Sequence, residues 1–119
     1  MPIVSPPLSK AECYLGKSVL KRSGVKTKLT AEMIKELARC ESDVPYFIEN
    51  YCRIINLDRG EVPFGLHNYQ RKMVVAMLEE RFTLFMLPRQ MGKSQTTAAF
   101  VLHQIIFTSH YTVAILANK

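Results

Sequence analysis

The stretch that most constrains this chain is a change of pattern between Thr83 and Phe107. Thr83-Leu-Phe-Met-Leu87 is a short apolar run suited to a buried strand, and Lys93 to Phe107 is an apolar segment of helix length. Between them lie only Pro88-Arg-Gln-Met-Gly92. A strand that becomes a helix across so few residues needs a tight loop faced by the helix's amino end. The junction ends in Gly92-Lys93-Ser94, the last three positions of the pattern G-x-x-x-x-G-K-[ST]. Leu87 stands where that pattern usually has its first glycine.

A helix starting near Gly92 leaves its first backbone N–H groups unpaired and turns its positive dipole end toward the loop. Phosphate oxygens answer both demands, so the amides of Gln90, Met91, Gly92, Lys93 and Ser94 are expected to wrap a phosphate. Gly92 lets the backbone approach without a Cβ in the way. Lys93 would meet the β- and γ-phosphates, and the Ser94 hydroxyl would ligate Mg²⁺. Arg89 is a second cation inside the loop. It would either touch the γ-phosphate and the transition-state charge, as an arginine finger in cis, or form a salt bridge to a carboxylate elsewhere.

The run Leu-Pro-Arg-Gln-Met-Gly-Lys-Ser from Leu87 to Ser94 resembles the deviant phosphate loop of phage terminase large subunits, and most closely those of myovirus-type tailed phages. The likeness extends upstream to Val62-Pro-Phe64 and Asn68-Tyr-Gln-Arg71, similar to that family's adenine-binding segment, and to the helical Tyr46-Phe-Ile-Glu-Asn-Tyr51. Downstream, Val113-Ala-Ile-Leu-Ala-Asn-Lys119 is similar to its next strand. The missing first glycine is normal for the family. The resemblance implies a P-loop NTPase parallel sheet of the RecA-like (ASCE) kind, preceded by short helices. It implies ATP and Mg²⁺ as cofactors, with Gln70 reading the adenine edge beside Tyr69, Lys93 and Ser94 on phosphate and metal, and Arg89 responding to the γ-phosphate. It also implies an ATPase motor that packages viral double-stranded DNA into procapsids. The partners would be the portal protein, the small terminase subunit and further copies in a ring, in the host cytoplasm of an infected bacterium.

The chemistry of Gln70 can be stated without the family. Its amide offers one acceptor and two donors, a match for adenine N6 and N7 and a mismatch for guanine O6. The alternative is a polar residue on the solvated face of an amphipathic helix.

Nearly half of the 119 residues are apolar, enough for one ordinary domain. No apolar run approaches the roughly 20 residues of a membrane-spanning helix, and no secretion signal is read at the amino end. Cys13, Cys40 and Cys52 show no C-x-x-C pairing and read as reduced thiols of a cytosolic protein.

The net charge of +6 is concentrated at the start. Lys10, Lys17, Lys21, Arg22, Lys26 and Lys28 face Glu12 alone, so residues 1–28 carry +5. This basic arm fits contact with DNA or an acidic partner, and equally a solvated, flexible terminus. Residues 29–60 are expected to be a helical segment, with Thr30 capping a helix that bears Met33, Ile34, Leu37 and Ala38 as an apolar stripe. A second helix is expected from about Val44 to Ile55, burying Phe47, Ile48, Tyr51, Ile54 and Ile55. Asp58-Arg-Gly60 reads as a turn, after which residues 61–119 are expected to begin the ATPase domain: a helix over about Asn68–Glu80, a strand at Thr83–Leu87, the helix Lys93–Phe107, and a second strand at Tyr111–Ala117. His103 reads as a helix residue near the sheet.

After Ser94 the sequence contains no Asp or Glu. A phosphate-loop ATPase needs acids to hold Mg²⁺ and to orient the attacking water. The expectation is therefore a piece that is inactive alone and, with only two strands of its sheet, aggregation-prone; the resemblance implies an amino-terminal piece of the motor, completed by the rest of the ATPase domain and a nuclease domain. Two other readings stay open: a superfamily-2 helicase or translocase piece, which also places an adenine-reading glutamine before its loop, and a non-catalytic module that binds nucleotide or DNA.

Overall fold

The computed structural model describes residues 7–117. The first six residues of the basic arm, and Asn118 and Lys119 of the strand-like carboxyl segment, lie outside the described residues. The fold is mixed α/β, with four helices and two two-stranded antiparallel sheets among the described residues. The chain divides into two compact units, residues 1–37 and 38–119. The expected helical segment 29–60 is thus shared between them, and most of it folds with the residues that follow.

In the first unit β1 (Cys13–Tyr14) pairs with β2 (Lys17–Lys21) in a hairpin within the basic arm. Leu15 and Gly16 both have positive φ, 51° and 71°, as a two-residue hairpin turn that follows the strands' twist requires. Ser9 donates its backbone N–H and its hydroxyl to Glu12, at 2.9 and 2.7 Å. The hydroxyl bond, then the backbone one, holds the Glu12 carboxyl below its usual range. Every residue of β2 is exposed, Lys17 and Lys21 included, and Lys21 donates to the Thr27 hydroxyl.

Helix α1 (Ala31–Ser42) starts at Thr30, whose hydroxyl accepts from the Met33 N–H at 3.3 Å. Met33 is half-buried, whereas Ile34, Leu37 and Ala38 are exposed. The stripe expected of α1 therefore exists as a pattern, but most of it is not buried.

The second unit is built on α2 (Val44–Tyr51), α3 (Asn68–Glu79) and α4 (Lys93–Phe107). Asp43 caps α2 by accepting from the Tyr46 N–H at 2.9 Å, and Pro45 sits in the first turn, where its missing N–H costs nothing. The helix stops at Tyr51, four residues short of the expected Ile55. Arg53–Asn56 forms β3 instead and pairs with β4 (Gly60–Pro63) in the register Ile54 opposite Val62. The reason is local. Asn56 Oδ1 accepts from the N–H groups of Asp58 and Arg59, at 2.9 and 3.3 Å, which closes a three-residue turn before Gly60 and makes the β-branched Ile54-Ile55 pair more useful in a ladder than in a helix. Ile54 is half-buried, and Ile55 is left 85% exposed.

The core joins Cys40, Val44, Phe47, Ile48, Cys52, Phe64, Leu66, Val74, Ala99 and Phe100. Burial pushes the Cys52 thiol up. His103 is buried with them. Its Nε2 lies 2.8 Å from the Cys40 carbonyl, which can only accept, so the ring proton sits on Nε2 and Nδ1 is free to accept from the Gln104 amide at 3.3 Å. Phe47 meets the His103 ring edge-on, with centroids 5.2 Å apart. Arg71 of α3 pairs with Glu49 of α2, which also accepts from the Leu66 N–H at 3.3 Å.

The two expected strands differ from the expectation. Neither Thr83–Leu87 nor Tyr111–Ala117 is paired as a strand among the described residues. A strand needs a hydrogen-bonded neighbour, and an apolar sequence alone does not supply one. Phe85 and Leu87 are half-buried, whereas Leu84 and Met86 are 88% exposed, so the first segment shows alternating sides without a ladder.

Ile48 is fully buried between the helices, so Ile48→Ala should destabilise the chain by about 2–5 kcal/mol, seen as a fall in the urea midpoint. A change below about 0.5 kcal/mol would show that this cluster is not what holds the unit together.

Candidate functional site

The loop from Leu87 to Gly92 is shaped by two left-handed residues. Gln90 has φ 62°, an uncommon value for a residue with a Cβ, and Gly92 has φ 69° as the residue that opens α4. A Cβ at Gly92 would also come within 2.7 Å of Gln70 Nε2. The left-handed backbone favours glycine at this position, and a Cβ there would also have to displace the Gln70 amide.

Beyond Gly92 the helix begins without a side-chain cap and without an acidic residue in its first turn. The first hydrogen bond returning to the loop runs from the Thr96 N–H to the Gly92 carbonyl at 2.9 Å, and the Thr96 hydroxyl donates to the same oxygen at 2.9 Å. Thr96 is fully buried. These two hydrogen bonds fix Gly92, while the N–H groups of Lys93, Ser94 and Gln95 have no acceptor within the helix. The amino end of α4 therefore carries the positive pole of the dipole with no carboxylate to offset it.

Lys93 folds back across the loop and donates to the Leu87 carbonyl at 2.9 Å. Its ammonium is held on the loop side of the helix rather than in open solvent, and the residue is half-buried. Ser94 and Gln90 are exposed, and Met91 and Gly92 half-buried. Arg89 is exposed, and among the described residues the ion pairs are Arg53 with Glu61 and Arg71 with Glu49, so Arg89 holds no carboxylate. The salt-bridge alternative for this arginine finds no partner there.

Helix α3 supplies the other wall. Tyr69 donates its hydroxyl to the Met91 carbonyl at 2.9 Å, and its ring stacks on His67 with centroids 5.7 Å apart. Gln70 is 4% exposed, which removes the solvated-face alternative. Its Oε1 accepts from the His67 N–H at 2.8 Å, closing the first turn of α3, and its Nε2 faces Gly92.

The structure thus brings together Tyr69, Gln70, Gln90, Met91, Gly92, Lys93 and Ser94 around one loop, in which Arg89 is exposed. Sequence reasoning missed Thr96 and His67. A capping pattern, in which Gln70 stands three residues after the residue preceding the helix, could have found His67. Thr96 carries no such signal, since a threonine in a helix more often faces water. The chemistry the arrangement offers is anion binding: helix-start amides without an acceptor in the helix, a loop ammonium, and a guanidinium that holds no carboxylate among the described residues. For Mg²⁺ the described residues contain no cluster of three His, Cys, Asp or Glu side chains, so Ser94 would share a metal with phosphate oxygens and water rather than hold it in a protein cage. No family model matches the chain.

Gly92→Ala forces a left-handed alanine against Gln70, and should cost about 1–2 kcal/mol in urea unfolding from the backbone alone. Adding Gln70→Ala should recover the part due to the contact and leave the part due to φ. Additive losses in the double variant would show that the two residues do not touch in solution.

Proposed function

We propose that this chain carries the phosphate-binding loop of an ATP-driven motor of the viral DNA-packaging type. The observation that supports the reading is the conjunction at Gly92. A left-handed glycine opens a helix with no acidic or side-chain cap, and the next residue, Lys93, is drawn over the loop. Such an arrangement stabilises a multiply charged oxyanion through backbone donors and a point charge together. In this reading the β-phosphate of ATP takes the amides of Gln90 to Ser94, Lys93 neutralises the β- and γ-oxygens, Ser94 contributes to Mg²⁺, and Arg89 answers to the γ-phosphate. The bound Mg²⁺ would draw off charge from the phosphate oxygens.

The motor assignment rests on the resemblance of the ordered segments from Tyr46 to Lys119, and the P-loop parallel sheet comes with it. Thr83–Leu87 and Tyr111–Ala117 would be two of that sheet's strands, apolar on both faces as such strands are. Double-stranded DNA is the proposed polymer, with the portal of a procapsid, a small terminase subunit and further copies of the motor as protein partners, in the cytoplasm of the infected host. The exposed lysines of β2 add a basic surface suited to phosphate backbones. Among the described residues no helix is long and apolar enough to cross a membrane.

A second reading, nucleotide binding without turnover, is favoured by one feature: residues 95–119 contain no Asp or Glu. The two readings share the loop and differ in whether an acid completes it.

Lys93→Ala should weaken binding of Mg·ATP about ten- to a hundredfold by calorimetry, the usual effect of losing a charged hydrogen-bond donor. Parental affinity in that variant would exclude the phosphate-loop reading. Arg89→Ala should narrow the preference for ATP over ADP, because only ATP offers the γ-phosphate. An unchanged ATP/ADP ratio would return Arg89 to the solvated surface.

A further inference from the structure

We propose that the first unit holds a docking groove for a partner protein, and that its occupant is a short, extended, acidic segment that also carries aliphatic side chains.

The groove is a consequence of one turn. Gly24, with φ 84°, stands third in Arg22-Ser23-Gly24-Val25, where the Val25 N–H reaches the Arg22 carbonyl at 3.4 Å. The turn sends the chain back alongside the hairpin, and Lys21 ties it there by donating to the Thr27 hydroxyl. A groove of about 440 Å³ opens where the two meet, within the roughly 300–1,000 Å³ of ligand clefts. All of its lining belongs to the first unit, so its role is independent of the phosphate loop.

Two kinds of side chain line it. Leu8, Val25 and Met33 are apolar and half-buried, and Val19 is apolar and 89% exposed. Lys21, Lys26 and Lys28 are exposed, and neither Lys26 nor Lys28 is paired with a carboxylate among the described residues. Glu12 also lines the groove, but Ser9 already holds its carboxylate from two donors. A ligand therefore meets positive charge and apolar surface together.

That combination selects the occupant. A second copy of this chain would bring the same excess of lysine, since residues 1–28 carry +5, and like charges oppose self-pairing. A nucleic-acid backbone satisfies the lysines but offers no aliphatic group to cover Val19. An acidic segment with aliphatic residues does both. Its main chain finds partners too. Among the described residues β2 pairs with β1 alone, so an extended segment can hydrogen-bond along its other edge.

The test follows fluorescence anisotropy with the 119-residue chain and three labelled probes. These are a peptide alternating glutamate with leucine, the same peptide with serine for leucine, and a short DNA duplex. The glutamate–leucine peptide should bind about tenfold tighter than the glutamate–serine peptide, the effect of burying one leucine, and tighter than the duplex. Lys26→Glu combined with Lys28→Glu should weaken it by at least about tenfold. Val19→Ser should weaken it about threefold and leave the glutamate–serine peptide at its parental affinity. All three positions are exposed, so the urea midpoint should stay parental in both variants, which separates lost docking from lost folding. The proposal is overturned if the duplex binds tighter than either peptide, if the two peptides bind alike, or if charge reversal leaves binding unchanged. A parent that binds neither peptide overturns it as well, and leaves the phosphate-loop reading to its own titration.

Discussion

The contact of α3 with the start of α4 is the constraint on which the site depends. Helix α3 is fixed to α2 through Arg71 and Glu49 and to the core through Val74. Helix α4 is fixed through Ala99, Phe100 and His103, all buried. The loop hangs between these two anchored helices, and its shape is decided by what α3 presents to it: a hydroxyl for Met91 and an amide beside Gly92. The left-handed Gln90, costing of order 1 kcal/mol, is sustained because both ends of its segment are held. Loss of either anchor would let the loop relax, and the unpaired amides of α4 would no longer converge.

The elements legible in the sequence were those whose signals are local. Helix α4 runs from Lys93 to Phe107 as its apolar length and the glycine before it predicted, and α3 ends at Glu79, one residue from expectation. The boundary of α2 was not legible, because Ile54 and Ile55 suit a helix face as well as a strand. What decided between them was a turn at Asn56 that pairs residues on its two sides. The unpaired state of Thr83–Leu87 was illegible for a related reason: apolar alternation specifies the faces of a strand and says nothing of its neighbours.

At the site the sequence named the loop residues by type, and the structure adds direction. That Gln70 lies near Gly92 follows from neither periodicity nor spacing, since 23 positions separate Gln70 from Lys93. Its orientation follows from His67, whose backbone N–H at the helix start needs an acceptor and takes the nearest one. Gln70, whose hydrogen-bonding inventory suits an adenine edge, also has its acceptor engaged by the first turn of its own helix.

The same accounting bears on Lys93. An ammonium has three donors, and the bond to the Leu87 carbonyl takes one of them. In the proposed phosphate-loop reading the other two serve phosphate oxygens, so the lysine meets the ligand without abandoning the loop, and the loop need not open to receive it. The conformational entropy of the long side chain is then already spent before binding. An alternative geometry, with Lys93 extended into solvent, would charge that ordering to the ligand. In the phosphate-loop reading the bond to Leu87 acts as preorganisation rather than as competition. It also explains how a leucine can stand at the position of the usual first glycine: the loop uses that residue through its carbonyl, which every amino acid supplies.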